Sequence, residues 1–408
     1  MRQSQLFTKT RREAPADEVS KNAILLTRAG FINKEMAGVY DFLPLGLRTL
    51  NKIISIIREE MNALGGQEIL MSSLQRKELW ERTDRWDDKK VDNWFKTKLK
   101  EGGELGLGFT HEEPISNMLE QFISSYKDLP FSVYQFQNKF RNEVRAKSGI
   151  MRTREFIMKD LYSFNTDQEA HQNFYEKAKE SYRKIFNRVG IGDITYLTEA
   201  SGGTFSARSH EFQTLTEAGE DTIFITNEDK KEAVNKEIDN REEDGLKAVE
   251  VGNIFTLGTK FSDPYLKFKD EDGKDQHVFM GSYGIGPARL MGTIVETLSD
   301  EKGIVWPKEV APFQVHLVVV TGDSKARAEE IYERLIAENI EVLYDDRDLR
   351  AGEKLKDADL IGIPTQIIVG DKTEKGFLEP RSWFVEVKDR TSGDSRVVSI
   401  DDFIKSFK

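Results

Sequence analysis

The sequence predicts an α+β fold, an antiparallel sheet flanked by helices, followed by a separate small α/β domain. Three observations carry this. Helical periodicity runs through 45–64 and 167–189. Two strand-like stretches, 131–141 and 154–164, flank a polar segment, as antiparallel strands joined by a long loop would. After Trp306-Pro307 the pattern becomes alternating strand and helix. A length of 408 residues suits two or three domains, each with its own core.

Each element has a local reason. LGLRTLNKIISIIREEMNAL (45–64) is amphipathic and stops at Gly65-Gly66, and QEILM (67–71) reads as a short strand. A helix is expected over 113–125. Short strands follow 167–189, near 194–198, 210–215 and 221–226. Residues 228–244 carry four basic and eight acidic side chains with few apolar anchors, so a solvated helix or mobile linker is expected there. Strand-like runs resume at 247–256, 260–268 and 277–282, and GSYGIG opens a helix at about 287–299. From 313 onward the order is strand, helix (324–338), strand, helix (353–361), strand, strand, which predicts a mostly parallel sheet. The expected domains are 1–305 and 306–408.

Composition narrows the function. With no cysteine, disulfides, thiolate zinc sites, iron–sulfur clusters and a cysteine nucleophile are excluded. The apolar runs near 318–320 and 367–370 are far too short for a membrane span, and the charged N-terminus does not read as a secretory signal. A net charge of −11 argues against generic nucleic-acid binding.

Several motifs offer chemistry, each with a plainer explanation beside it. GSYGIG (281–286) has the wrong spacing and place for a dinucleotide fingerprint, yet glycines that admit a close ligand, with Arg289 in the next helical turn, form a plausible anion-binding pair. In THEEP (110–114) no second histidine follows at metal-ligand spacing, and Glu112 and Glu113 are equally explained as a helix's acidic first turn. Between Arg141 and Asp160 there are six basic residues (Arg141, Arg145, Lys147, Arg152, Arg154, Lys159) against three acidic, a local +3 inside an acidic chain. Strand alternation places Arg141 with Glu143, and Arg152 with Arg154, on shared faces. Such a floor suits a polyphosphate, although a salt-bridged surface hairpin explains it as well. No nucleophile elbow, Walker loop or kinase motif set is present.

Together these segments resemble the prolyl-tRNA synthetases of bacterial type, a family of class IIa aminoacyl-tRNA synthetases. GVYDFLPLGLRTLNKIISIIREEMNALGGQEILM (38–71) resembles the family's first motif, a dimer-forming helix and strand. FTHEEP resembles its T-x-E signature, and KFRNEVRAKSGIMRTREFIMKDLYSF (139–164) its second motif in prolyl form. EVGNIFTLGTKFS and MGSYGIGPARL resemble the strand before, and the body of, the third motif (278–299). The segment from APFQVHLVVV to DDRDLRAGEKLKDADLIGIPTQIIVG is similar to the anticodon-binding domain of class IIa enzymes.

The resemblance implies a proline–tRNA ligase: L-proline and ATP give prolyl-adenylate, and the prolyl group passes to the 3′-terminal adenosine of tRNA(Pro). It implies ATP with Mg2+ as substrate complex, no zinc, no tightly bound organic cofactor, a homodimer, and a cytoplasmic place away from membranes. Thr110 and Glu112 would hold the proline ammonium, with Phe255 and Ser282 lining that pocket. Arg141 would bridge the proline carboxylate and the α-phosphate, and Glu143 would receive the adenine amino group. Arg152 and Arg289 would clamp the outer phosphates, the catalytic weight falling on Arg141 and Arg289. Thr153, Glu250 and Asn253 would complete the nucleotide site, with Glu250 on ribose or magnesium and Phe156 stacked on adenine. Arg347, Lys356 and Asp357 would read the anticodon.

Departures from the family pattern are Ser72 in place of a proline, Phe205-Ser206 in place of a glycine pair, and Asn253 in place of a histidine. The editing domain that bacterial-type relatives commonly insert between the second and third motifs is missing; only 228–244 stands near its place. Two alternatives remain open: a synthetase paralogue without catalysis, and a class IIa synthetase of another specificity.

Overall fold

The computed structural model describes all residues except 145, 147, 203–208, 240, 242–243, 323, 371–382 and 408. Arg145, Lys147 and the departure at Phe205-Ser206 therefore lie outside the described residues. Two compact units form: Lys34–Tyr40 with Ile53–Thr293, and Met1–Asn33 with Asp41–Lys52 and Ile294–Lys408.

The first unit is built on a nine-stranded, antiparallel-rich sheet. Its order is Ser209–Leu215, Thr195–Ala200, Glu232–Asn235, Asp221–Asn227, Leu246–Gly258, Phe279–Ile285, Glu155–Asn165, Phe131–Phe140, Gln67–Glu68. One face packs against the helix Gln168–Arg188, which Asp167 caps by accepting the Ala170 amide at 2.8 Å. That helix buries Tyr175, Tyr182, Ile185 and Phe186, and Tyr182 and Phe186 lie 5.3 and 5.1 Å from the Phe212 ring. Each such side chain contributes roughly 1.5–3 kcal/mol. The helix Pro44–Ala63 ends where Gly65 takes a left-handed conformation at φ +81°, and the Gly66 amide returns to the Met61 carbonyl at 3.0 Å.

Three local expectations are corrected. The acidic segment 228–244 holds a strand where a helix or linker is expected: Glu232–Asn235 pairs with 221–227 and, in parallel, with 195–200. The 209–215 strand also pairs with 246–258, so five short strands close into a ring around Tyr196, Ile223, Ala233 and Ala248. One small apolar side chain, Ala233, anchors the strand, and the charges around it masked it. The expected strand over 260–268 is mostly turn, which carries Phe261, Tyr265 and Leu266 into a core with Trp80, Trp94 and Tyr162. The expected 113–125 helix ends at Leu119.

In the second unit, Val342–Asp345, Val315–Val319 and Thr365–Val369 are parallel neighbours, while Phe384–Asp389 and Ser395–Ser399 add an antiparallel hairpin. The expected mostly parallel sheet is thus half antiparallel, since Phe384–Asp389 runs against Thr365–Val369 and Ser395–Ser399 runs against Phe384–Asp389. The helix Ile400–Phe407 closes the core with Ile400, Phe403 and Ile404. The N-terminus belongs here too. Met1 exchanges backbone hydrogen bonds with the edge strand (to Val342 O at 2.8 Å and from Tyr344 N at 2.9 Å), and Gln3 meets the buried His316 ring at 3.1 Å. A sheet edge left open by the strand order is covered in this way.

Candidate active site

The face of the large sheet opposite the Gln168–Arg188 helix carries the polar residues. Directly paired residues on neighbouring strands share a face. One rung runs Gln135, Asp160, Gly284, Asn253, Glu211; the next runs Val133, Tyr162, Ser282, Phe255, Ser209. Phe156 and Met158 stand opposite Lys139 and Gln137 on the same face. Gly284 leaves the floor open, since a Cβ there would lie 2.6 Å from Asn253 Oδ1.

Part of this floor is a buried polar network. Lys139 Nζ bonds Asp160 at 2.9 Å and donates to His111 Nδ1, while His111 Nε2 bonds the Ser72 carbonyl at 3.1 Å. A carbonyl only accepts, so Nε2 carries the His111 proton. Burial, then the Lys139 charge, pushes His111 down to about 4, which keeps the ring neutral. At Ser72, one of the departures noted in the sequence, the atom in use is the backbone oxygen.

At one side of the floor, Glu112 opens the helix Glu112–Leu119. Its Oε1 accepts from Thr110 Oγ1 at 2.8 Å and Tyr162 Oη at 3.2 Å, and Oε2 faces Arg85 at 3.3 Å. Arg85 also bonds Glu113 at 3.0 and 3.1 Å, and its guanidinium lies over Trp80 and Phe261. Burial works against the Arg85 charge, but Glu113 and then Glu112 outweigh it and hold the group above its ordinary value.

At the other side, Arg141, Glu143, Arg152, Thr153, Phe156, Glu250, Asn253 and Arg289 line one pocket, together with Gly284 and Gly286. Strand alternation is not what gathers them. The strands end at Phe140 and start at Glu155, so Arg141, Glu143, Arg152 and Arg154 all belong to the connection. Glu143 Oε2 accepts from Arg152 at 2.9 and 3.1 Å, and Arg154 turns away to the Glu143 carbonyl at 3.1 Å. Arg152 also pairs with Glu220. In the first turn of Pro287–Thr297, Arg289 holds the Met151 carbonyl at 2.8 Å and Glu250 at 3.1 and 3.4 Å, and Asn253 donates to Glu250 at 2.7 Å.

Arg141 is the exception to this pairing. Its guanidinium sits between the rings of Phe109 and Phe156, 5.0 and 5.3 Å from their centroids. Its Nε is shielded from solvent, and among the described residues it has no hydrogen-bond partner and no carboxylate lies within ion-pair distance. Burial, then the nearby Arg289 charge, pulls its pKa below the ordinary value. A shielded cation with a free N–H beside a second cation is suited to an anion.

Sequence reasoning missed Arg85, Tyr162 and Glu211. Tyr162 could have been found, because it continues the two-residue period of Phe156, Met158 and Asp160. Glu211 shares its face with Gln213, whose Nε2 donates to Glu211 and Asp221 at 2.8 Å each. Burial, then Glu250, pushes the Glu211 carboxyl up to about 8. Arg347 is tied to Asp345 at 2.7 Å and Asp357 at 2.9 Å, whereas Lys356 is exposed.

Residues 95–298 match the tRNA synthetase class II core domain (G, H, P, S and T), and 314–408 the anticodon binding domain. A proline–tRNA ligase of Agrobacterium fabrum is 38% identical over 98% of this chain and 98% of its own, and one of Wolbachia pipientis 37% identical over 100% and 99%. Among solved structures, a prolyl-tRNA synthetase of Cryptosporidium parvum superposes with a TM-score of 0.79 at 17% identity, covering 95% of this chain and 75% of that one. That of Giardia lamblia, solved with prolyl-adenylate, gives 0.77 at 18% identity, covering 94% and 75%. Class II core, anticodon module and full-length relatives agree: the chain belongs to the prolyl-tRNA synthetase family of aminoacyl-tRNA ligases.

Proposed function

We propose that proline and ATP meet on the polar sheet face, with the proline ammonium at Thr110 and Glu112 and the reacting carboxylate and α-phosphate at Arg141. The observation that carries this reading is the shielded, unpartnered Nε of Arg141 beside Arg289. Phe255 and Ser282, on the rung of Tyr162, would form the proline wall. Glu143 keeps Oε1 for the adenine amino group, Thr153 and Asn253 border the nucleotide, and the Phe156 ring offers its second face to adenine. Arg152 and Arg289 would take the outer phosphates, Arg152 leaving Glu220 to do so. Glu250, with Glu211 beside it, would receive the magnesium that enters with ATP.

No general base is required for the first step, because the proline carboxylate is already a nucleophile. One of its oxygens bonds to the α-phosphorus while the bond to the bridging oxygen breaks, and pyrophosphate leaves with the magnesium. The gain comes from positioning and from guanidinium groups fixed where phosphate charge develops. In the second step a ribose hydroxyl of the terminal tRNA adenosine attacks the mixed anhydride carbonyl, and AMP leaves.

The remaining assignments are of the same kind. Residues 1–305 would be catalytic and 306–408 would bind the anticodon through Lys356, with Arg347 and Asp357 shaping that surface. A homodimer suits the two-residue edge strand Gln67–Glu68, next to which Leu70 and Leu74 are exposed. The cytoplasm is the proposed compartment, where tRNA is charged. Without an editing domain the enzyme would release Ala-tRNA(Pro) uncorrected. Proline-dependent ATP–pyrophosphate exchange, run against a panel of amino acids, tests the reading; no exchange favours the paralogue, and exchange driven by threonine or glycine overturns the specificity.

A further inference from the structure

A second concavity lies within the unit formed by Met1–Asn33, Asp41–Lys52 and Ile294–Lys408. It is a cleft of about 1340 Å³, larger than the roughly 300–1000 Å³ of a small-molecule pocket. Its walls come from both chain ends: the segment around Lys9–Arg12, Arg28, Lys302 and the 347–360 stretch. Eight cations and five carboxylates line it. Three of the carboxylates are already neutralised, Glu353 by Arg12 at 3.0 Å, Asp357 by Arg347 at 2.9 Å, and Asp359 by Lys388 at 2.7 Å. Six cations then remain, Lys9, Arg11, Arg28, Lys302, Arg350 and Lys356, against Glu301 and Asp348. Among the described residues none of the six makes an ion pair. A residual charge of this sign inside a chain of net −11 is a local feature of this cleft.

The N-terminal wall is fixed in place. Arg2 pairs with Glu329 and lies over the rings of Tyr332 and Tyr344, and Ser4 donates twice to Asp346, at 2.7 and 2.9 Å. Further along, the Arg11 amide donates to the Arg28 carbonyl at 2.7 Å, and Arg28 Nε to the Arg11 carbonyl at 3.4 Å. On the opposite wall the helix Ala351–Ile361 starts without a side-chain cap, and a Cβ on Gly352 would meet nothing within 4 Å. The cleft is open, anchored and cationic along its length.

We infer that this cleft binds the phosphodiester backbone of the RNA substrate, and that Lys9, Arg11 and Arg28 of the N-terminal segment act there beside Lys302, Arg350 and Lys356. The inference rests on the tRNA-ligase reading above and adds the chain's N-terminus to the RNA surface. Phosphate contacts fix the position of an RNA while base edges carry its identity, so the contribution is to affinity and its salt dependence.

The test uses the full-length enzyme and a tRNA(Pro) transcript, with affinity measured by filter binding across a potassium chloride series. The triple variant Lys9→Gln/Arg11→Gln/Lys302→Gln changes exposed side chains only. Its affinity should fall roughly tenfold or more near 0.15 M salt, and the log–log salt slope should become shallower by about 2. kcat/KM for tRNA should fall in parallel, with proline-dependent pyrophosphate exchange unchanged. Unaltered affinity and slope in a variant with normal exchange would overturn the inference. So would an equal loss when three exposed lysines elsewhere, Lys184, Lys230 and Lys274, are neutralised instead. Absence of exchange in the wild type would overturn the ligase reading itself, a separate failure.

Discussion

Replacing Glu211 by glutamine should stabilise the protein at alkaline pH and leave it almost unchanged at acid pH. The carboxyl is pushed up from 4.5 to about 8 by burial and then by Glu250. Between these values the folded chain holds a proton that the unfolded chain has released, so stability falls as pH rises through this window. The gap corresponds to roughly 5 kcal/mol above pH 8 and ~3 kcal/mol at pH 7. Glutamine keeps an oxygen for the Gln213 amide at nearly the same place and cannot ionise. Urea unfolding of both proteins at pH 5 and pH 8.5, followed through Trp80, Trp86 and Trp94 of the same unit, measures the difference. The wild type should match Glu211→Gln at pH 5 and be weaker by a few kcal/mol at pH 8.5. A difference that does not change with pH would refute the reasoning.

Arg85→Gln should cost about 3–5 kcal/mol in unfolding free energy, because two buried carboxylates lose their cation. The double variant Arg85→Gln/Glu113→Gln should recover part of this while proline KM stays raised, and full recovery of KM would show that Arg85 does not position Glu112. Preformed Ala-tRNA(Pro) incubated with the enzyme should decay no faster than in buffer, since alanine is the smaller amino acid and missing methylenes discriminate by only about 1–3 kcal/mol; rapid deacylation would contradict this. Lys356→Ala should lower kcat/KM for tRNA charging roughly tenfold with pyrophosphate exchange intact, and equal losses in both assays would contradict an anticodon-side role.

The site-bearing strands were legible because their patterns are local. Aromatic and β-branched residues recur through 131–140, and a cap and an apolar stripe define 168–188. Glu232–Asn235 was hidden, since four residues with Ala233 as the buried apolar anchor become a strand only by pairing with the adjacent 221–227 and with 195–200, remote in sequence. The arginine cluster was legible in composition but not in geometry. Arg141 and Arg152 converge through a loop held by the Glu143 pair, and alternation describes strands only. Arg85 was invisible for a related reason: its partners Glu112 and Glu113 come from another element, and a buried arginine over Trp80 reads in sequence like any surface charge.

The central claim is that Arg141 and Arg289 stabilise the charge that develops as the proline carboxylate displaces pyrophosphate. Rapid-quench measurement of prolyl-adenylate formation in a single turnover, at saturating ATP and proline, tests it without contribution from tRNA or product release. Arg141→Ala and Arg289→Ala should each slow the step by a factor on the order of 10²–10³, with far-ultraviolet circular dichroism and unfolding midpoint close to wild type. Adenylate formation within a few-fold of wild type in either variant would contradict the account.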